Sequence, residues 1–253
     1  MAVSDDPRHG GADFSAPRTL GQRTFKGTSK FVVGGIFKSL VRLETVNHES
    51  IPTSGPVVIA PSHRSNIDTP IIGAALDRDS RFMAKESIFK NPFWTKFLVG
   101  LGGFPVKRGT LDRSSLNTAT EILKRGEMLV VYPEGARQEG PRIKPVFEGA
   151  VWLAARAGAV VIPAGIGGSH EVMPIGVKIP RPKKVVVVFG DPITVENPDK
   201  PGKLLGSRED RANELREALQ VAFDEAQIRA GTPNRAWSPD EPGIDDRIEP
   251  WTD

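Results

Sequence analysis

The sequence predicts an α/β fold, a single domain with a mixed sheet flanked by helices and an amphipathic helical segment on its N-terminal side. Three observations carry that reading. Short runs of β-branched residues alternate along the chain with segments whose apolar residues recur at helical spacing, the pattern of a sheet covered by helices on both faces. The segments with helical spacing stop at glycines, as helices do. A chain of 253 residues, 38% hydrophobic and 26% charged, is long and apolar enough to bury one substantial core.

Taken in order, residues 1–24 are rich in Gly, Pro, Arg and Asp without periodicity and are expected to form a disordered tail. From Lys30 to Arg42 the apolar residues Val33, Ile36, Phe37, Leu40 and Val41 fall on one helical face with Lys38 and Arg42 at its edge. Pro56–Ala60 reads as a buried strand, Thr69–Leu76 as a helix and Arg81–Ala84 as a short strand. Ser114–Lys124 reads as a helix closed by Gly126, Met128–Tyr132 as a strand, and Glu148–Ala157 as a helix ended by Gly158. Val160–Pro163 and Val185–Phe189 are further strands. Ser207 with Asp210 three residues on resembles a capping box, opening a last helix to about Ile228 with Leu215, Leu219, Ala222 and Ala226 as its apolar stripe. The domain is thus expected over residues 25–230. Residues 231–253, with four prolines and Trp237 and Trp251, read as an acidic tail.

Composition removes several kinds of chemistry. There is no cysteine, so disulfides, thiolate nucleophiles and cysteine-bound metals are impossible. The four histidines, His9, His48, His63 and His170, are scattered without metal-ligand spacing, so no metal is expected. Net charge is +3, but residues 235–253 hold six acids against two arginines, which leaves the rest of the chain clearly basic and suited to anionic partners. No basic stretch is interleaved with aromatics in a nucleic-acid module, so nucleic acid is not expected as a partner. No run approaches the roughly 20 apolar residues of a membrane span and the N-terminus is polar, so a cytoplasmic chain is expected.

The chemistry concentrates in four blocks. Pro61-Ser62-His63-Arg64-Ser65-Asn66-Ile67-Asp68 lies between a predicted strand and a helix, where open α/β sheets keep their sites. Across that turn Asp68 can fix the tautomer of His63 while the other ring nitrogen accepts a proton. No GxSxG elbow accompanies the pair, so the nucleophile is expected to be the substrate's own hydroxyl. By itself the spacing is unspecific. Gly102-Gly103-Phe104-Pro105-Val106-Lys107-Arg108-Gly109, Tyr132-Pro133-Glu134-Gly135-Ala136-Arg137 and Val161-Ile162-Pro163-Ala164-Gly165 follow it. Arg108 and Arg137 offer guanidinium forks that bind phosphate bidentately and Lys107 adds a point charge. Gly103, Gly109 and Gly135 let backbone approach a ligand, or serve turns. Lys85 and Lys144 are weaker cationic candidates; His48 and His170 read as a turn and a loop histidine.

In this order the four blocks resemble the glycerophospholipid acyltransferases related to 1-acylglycerol-3-phosphate O-acyltransferase, whose patterns are NHxxxxD, a G-x-x-F-x-x-R block, FPEGTR and an apolar block with V-x-P. The resemblance spans about residues 30–195. Ser62, Tyr132 and Ala136 depart from the family's Asn, Phe and Thr, and leave the imidazole, a carboxylate and a guanidinium in place.

The resemblance implies acyl transfer from a fatty acyl thioester, acyl-CoA or acyl carrier protein, to the free hydroxyl of 1-acyl-glycerol-3-phosphate, giving phosphatidic acid. It casts His63 as general base, Asp68 as its orienting partner, and Lys107, Arg108 and Arg137 as ligands of the acceptor phosphate. Gly135 belongs to the same binding block, and Glu134 is either acceptor-binding or a brace of its loop. No cofactor is implied, the acyl donor being a substrate. Acylation of glycerol 3-phosphate or another lysophospholipid, and an inactive lipid-binding protein on the same fold, are the alternatives. A lysophospholipid acceptor requires peripheral contact with a membrane surface, for which helix 30–42 and the stretch Phe89–Trp94 are the candidates.

Overall fold

The computed structural model describes residues 39–89, 91–106, 113–177 and 179–234, with Phe14 and a few other positions between 16 and 35. Its strands are β1 (Glu44–Val46), β2 (Val57–Pro61), β3 (Ser80–Lys85), β4 (Gly103–Val106), β5 (Met128–Val130), β6 (Val160–Gly167), β7 (Val186–Phe189) and β8 (Ile193–Thr194). Its helices are α1 (Asp68–Ala75), α2 (Pro92–Gly100), α3 (Arg113–Lys124), α4 (Gly149–Ala157), the single turn α5 (Ser169–Val172) and α6 (Arg208–Ala230). All strands join one sheet in the order β1-β7-β6-β2-β5-β3-β4, with β8 also on β6. β2 to β6 run parallel, whereas β7 and β8 are antiparallel to β6, so the sheet is mixed as the sequence predicts.

The central strands are apolar without alternation because both faces are covered. Val58, Ala60, Leu129 and Val161 face a core built with α3, α4 and Leu215 of α6. Val57, Ile59, Met128, Val130 and Ile162 face the opposite core, with Ile71, Ile72 and Ala75 of α1. Helix α6 lies so close to β6 that a Cβ at Gly165 or Gly167 would fall about 2 Å from the backbone of Ala222 and Ala226 (2.1 and 2.2 Å). Glycine at both positions lets helix and strand backbones meet. The predicted stripe Leu215, Leu219, Ala222 and Ala226 is buried there, and Ser207 Oγ accepts from Asp210 N at 3.0 Å to cap the helix.

Several boundaries differ from expectation. β5 stops at Val130, which leaves Tyr132 in the loop beyond it. β6 continues past Pro163 to Gly167, because the missing N–H of Pro163 falls where β6 changes antiparallel partner from β8 to β7. β4 contains a proline and is tolerated as the sheet edge beside β3. The loop reading of His170 gives way to the turn α5. Phe14, inside the segment expected to be a tail, is buried, packs edge-on against Phe89 and accepts a hydrogen bond at its carbonyl from Arg81.

The membrane candidates change as well. Phe89 is fully buried and so presents nothing to a surface, while Lys90 and the side chains of residues 92–94 lie outside the described residues. Of helix 30–42, Lys30, Val33, Ile36, Phe37 and Lys38 also lie outside them; its end packs inward through fully buried Val41, and Arg42 follows at φ 45°. In the C-terminal tail reading, residues 235–253 lie outside the described set.

Candidate active site

The parallel strands β2, β5, β3 and β4 all end on one edge of the sheet; two of the four sequence blocks begin there, and the block that runs through β4 leads to it. β2 and β5 are neighbours, so the loops that leave them meet. His63 from the first loop stacks on Tyr132 from the second, ring centroids 4.1 Å apart and planes 26° from parallel.

Asp68 opens α1 and points back at the turn that precedes it. Its Oδ2 accepts from Arg64 N at 2.6 Å and Ser65 N at 2.7 Å, and pairs with His63 Nδ1 at 2.8 Å. The carboxylate is wholly buried, and the spacing of five residues across the turn brings imidazole and carboxylate into contact. With Nδ1 committed to a carboxylate, the proton of neutral His63 sits on Nδ1 and Nε2 keeps its lone pair. Nε2 has no protein partner among the described residues, although the side chain is only 10% exposed.

A second buried carboxylate builds the wall behind this pair. Glu134 takes Arg64 Nη1 on both oxygens, at 2.7 and 2.9 Å, and accepts His63 N at 3.1 Å and Lys144 N at 3.3 Å. Arg64 also donates to the carbonyls of His63 and Arg142, at 3.0 and 2.9 Å, and lies over the ring of Phe223 at 4.7 Å. The Glu134 side chain has no exposed surface, so of the two roles open to it in sequence this geometry is that of the brace. Buried charges persist when paired and hydrogen-bonded in this way.

The other predicted residues fall differently. Gly135, at φ 74°, closes the turn by donating to Tyr132 O at 3.0 Å, a conformation that favours glycine. Arg137 is half-buried and makes no hydrogen bond or ion pair with the described residues, while its neighbour Gln138 donates its N–H to His63 O at 2.8 Å. Lys107, Arg108 and Gly109 lie outside the described residues; β4, which leads to them, ends at Val106 beside Lys85 on the same edge. His48 lies 3.4 Å from Asp77, outside the four blocks.

The three departures from the family pattern have visible consequences at two positions. Ser62 is fully buried and accepts Ile166 N on its Oγ at 3.0 Å, tying the turn to β6. Tyr132 shares a hydrogen bond with Thr69 at 3.1 Å. Burial, with the negative Asp68 nearby, pushes its phenol well above the ordinary tyrosine range, and the Thr69 bond offsets part of that. The phenol is therefore neutral at any working pH. Arg64 is the residue that motif reading missed; its position inside the first block, opposite an acid in the third, was the available signal.

A family profile described as Acyltransferase matches residues 42–167, the stretch that supplies both the turn and the brace. The chain belongs to the acyltransferase family. A 1-acyl-sn-glycerol-3-phosphate acyltransferase of Bacillus subtilis is 29% identical over 152 residues, covering 60% of this chain and 73% of the relative. A chloroplastic 1-acyl-sn-glycerol-3-phosphate acyltransferase of Brassica napus is 31% identical over 135 residues, 51% of this chain and 38% of that one. The crystal structure of the 1-acyl-sn-glycerophosphate acyltransferase of Thermotoga maritima superposes with a TM-score of 0.65 at 22% identity, over 86% of this chain and 81% of that one, and shares the fold. The sheet edge described above is thus the candidate active site of an acyltransferase.

Proposed function

We propose that this acyltransferase moves a fatty acyl group from an acyl thioester, acyl-CoA or acyl carrier protein, to the free hydroxyl of 1-acyl-glycerol-3-phosphate. The observation that carries the reading is His63 Nδ1 held at 2.8 Å from a buried carboxylate, with Nε2 left without a protein partner among the described residues. The curated relatives named for this reaction support the choice of acceptor.

In this mechanism Nε2 takes the proton of the acceptor hydroxyl as its oxygen attacks the thioester carbonyl. The imidazolium that forms is stabilised by Asp68, and the tetrahedral intermediate collapses with loss of the thiolate, which takes the proton back from Nε2. General-base assistance of this kind supplies about 10²–10⁴ in rate, and the rest comes from holding hydroxyl and carbonyl in line. Arg137, without a partner among the described residues, binds the acceptor phosphate; Lys107 and Arg108, which follow β4 in sequence, serve the same charge. Gly135 shapes the turn between Tyr132 and Arg137. No metal or resident cofactor takes part. Among the described residues no helix is long and apolar enough to cross a membrane, and the enzyme meets its lipid acceptor peripherally.

The test is free-thiol release from acyl-CoA and acyl carrier protein donors with lysophosphatidic acid, glycerol 3-phosphate or a zwitterionic lysophospholipid as acceptor. Release is expected with lysophosphatidic acid and should vanish without an acceptor. Faster release with another acceptor would reassign the substrate, and none with any acceptor would remove the enzymatic reading.

A further inference from the structure

Directly after β6 and α5, at the edge that carries His63, the chain makes an excursion over residues 173–184 before returning to β7. Its neck is pinned at two points. Ser65 Oγ, from the turn between His63 and Asp68, donates to Met173 O at 2.6 Å, and Arg181 N donates to Val172 O at 2.8 Å. Met173 itself packs against the core on α1's side of the sheet.

Beyond the neck the loop is apolar at positions where a surface loop has no internal reason to be. Ile175 is 40% exposed and Ile179 is 78% exposed. Lys178, Arg181, Lys183 and Lys184 belong to the same twelve residues, which contain no acid. Lys184 is engaged with Glu44 at 2.8 Å, which holds that carboxyl below its ordinary range, and with Arg229 O. Arg181 and Lys183 are exposed and their side chains make no hydrogen bond or ion pair with the described residues. Pro174, Pro180 and Pro182 restrict the backbone, which lowers the entropy lost when the loop docks.

Exposed isoleucines beside unpaired cations are complementary to an anionic bilayer, where apolar tips enter the acyl boundary and cations meet phosphate. Of the other exposed large apolar residues, Leu20, Ile88, Leu205, Val221 and Ile228, the two on α6, Val221 and Ile228, have Glu217, Asp224 and Glu225 on their stretch of helix. We propose that residues 173–184 are the loop by which the enzyme docks on an anionic phospholipid surface, with Ile175 and Ile179 inserted and Arg181 and Lys183 on headgroup phosphates. The proposal rests on the lipid-acceptor reading above. It gives that reading an orientation: through the Ser65–Met173 bond, the docked surface is mechanically tied to the turn that carries the base, so the acceptor hydroxyl enters from the side of the bilayer.

The test is co-sedimentation of the full chain with vesicles of equal parts phosphatidylcholine and phosphatidylglycerol, and with phosphatidylcholine alone. Arg181→Ala with Lys183→Ala should weaken binding to the anionic vesicles by roughly thirtyfold at low salt, with little change on neutral ones. Ile175→Ser with Ile179→Ser should weaken binding to anionic vesicles by at least about tenfold. Both variants should release thiol at the unaltered rate with a short-chain, fully dissolved acceptor. Equal vesicle binding by both variants and the unaltered protein overturns the proposal. So does a loss confined to binding of acyl carrier protein, which would assign the loop to an acidic protein. Loss of vesicle binding in a protein that acylates no acceptor supports the docking loop while removing the enzymatic reading.

Discussion

The turn that carries His63 and Asp68 and the stretch that carries Arg137 are neighbours, tied by Gln138 N donating to His63 O and by Arg64 pairing with Glu134, yet His63 and Arg137 are surrounded on opposite plans. In the turn the two carboxylates are already engaged, although Asp68 Oδ1 and Arg64 Nε have no hydrogen-bond partner among the described residues. Asp68 holds the ring and two backbone N–H groups, and Glu134 holds the backbone of His63 and the guanidinium of Arg64. Arg137 is the reverse, a half-buried guanidinium with no bonding partner among the described residues. In the proposed reaction a general base has to be in place before the acceptor arrives, and the contacts of the turn suit that role. In the same proposal a phosphate ligand has to keep its valences for the phosphate, and the absence of a partner for Arg137 among the described residues suits that role.

That contrast is open to being broken. The largest effect is expected from the turn: His63→Ala should lower kcat by about 10²–10⁴ with little change in melting temperature, and Asp68→Asn nearly as much, because it keeps the shape and removes the charge facing the imidazolium. A His63→Ala enzyme that kept more than about a tenth of the rate would contradict the base assignment. Next comes the wall behind the turn. Glu134→Gln leaves the Arg64 cation buried against a neutral amide and should cost about 3–5 kcal/mol of unfolding free energy, read by urea denaturation. A change in KM for the acceptor at unchanged stability would instead return Glu134 to the substrate.

A smaller effect of a different kind is expected at Arg137. Arg137→Ala should raise KM for the lysophospholipid by about 10–100-fold and leave that for the acyl donor nearly unchanged, since a charge-assisted bond to phosphate is made in both ground and transition states. If the donor's KM rises instead, the guanidinium belongs to the phosphates of CoA. The smallest change is Tyr132→Phe. It keeps the ring against His63 and removes only the bond to Thr69, worth about 0.5–1.5 kcal/mol. Stability should fall by that amount and kcat should stay within about threefold. A larger fall in kcat would mean that the phenol, and not only the ring, positions the imidazole.

Much of this architecture was legible in the chain itself. The β-branched runs, the glycines at 126 and 158 that end helices in the left-handed conformation, and the Ser207 cap are local signals, and the structure places strands, stops and cap where they indicate. The elements that escaped are β1, β4, β8 and α5, all four residues long or shorter, and the nine-residue helix α2, which begins at Pro92 and ends at Gly100. The same division holds at the site. The proximity of His63 and Asp68 follows from five residues across one turn, so the sequence alone determined it. That Arg64 meets Glu134, seventy residues on, was decided only when β5 took its place beside β2, because a pairing of distant charges depends on strand order, which no local pattern encodes. The burial of Phe89 and the exposure of Ile179 belong to that second class, since an apolar side chain looks the same in sequence whether the fold covers it or leaves it in water.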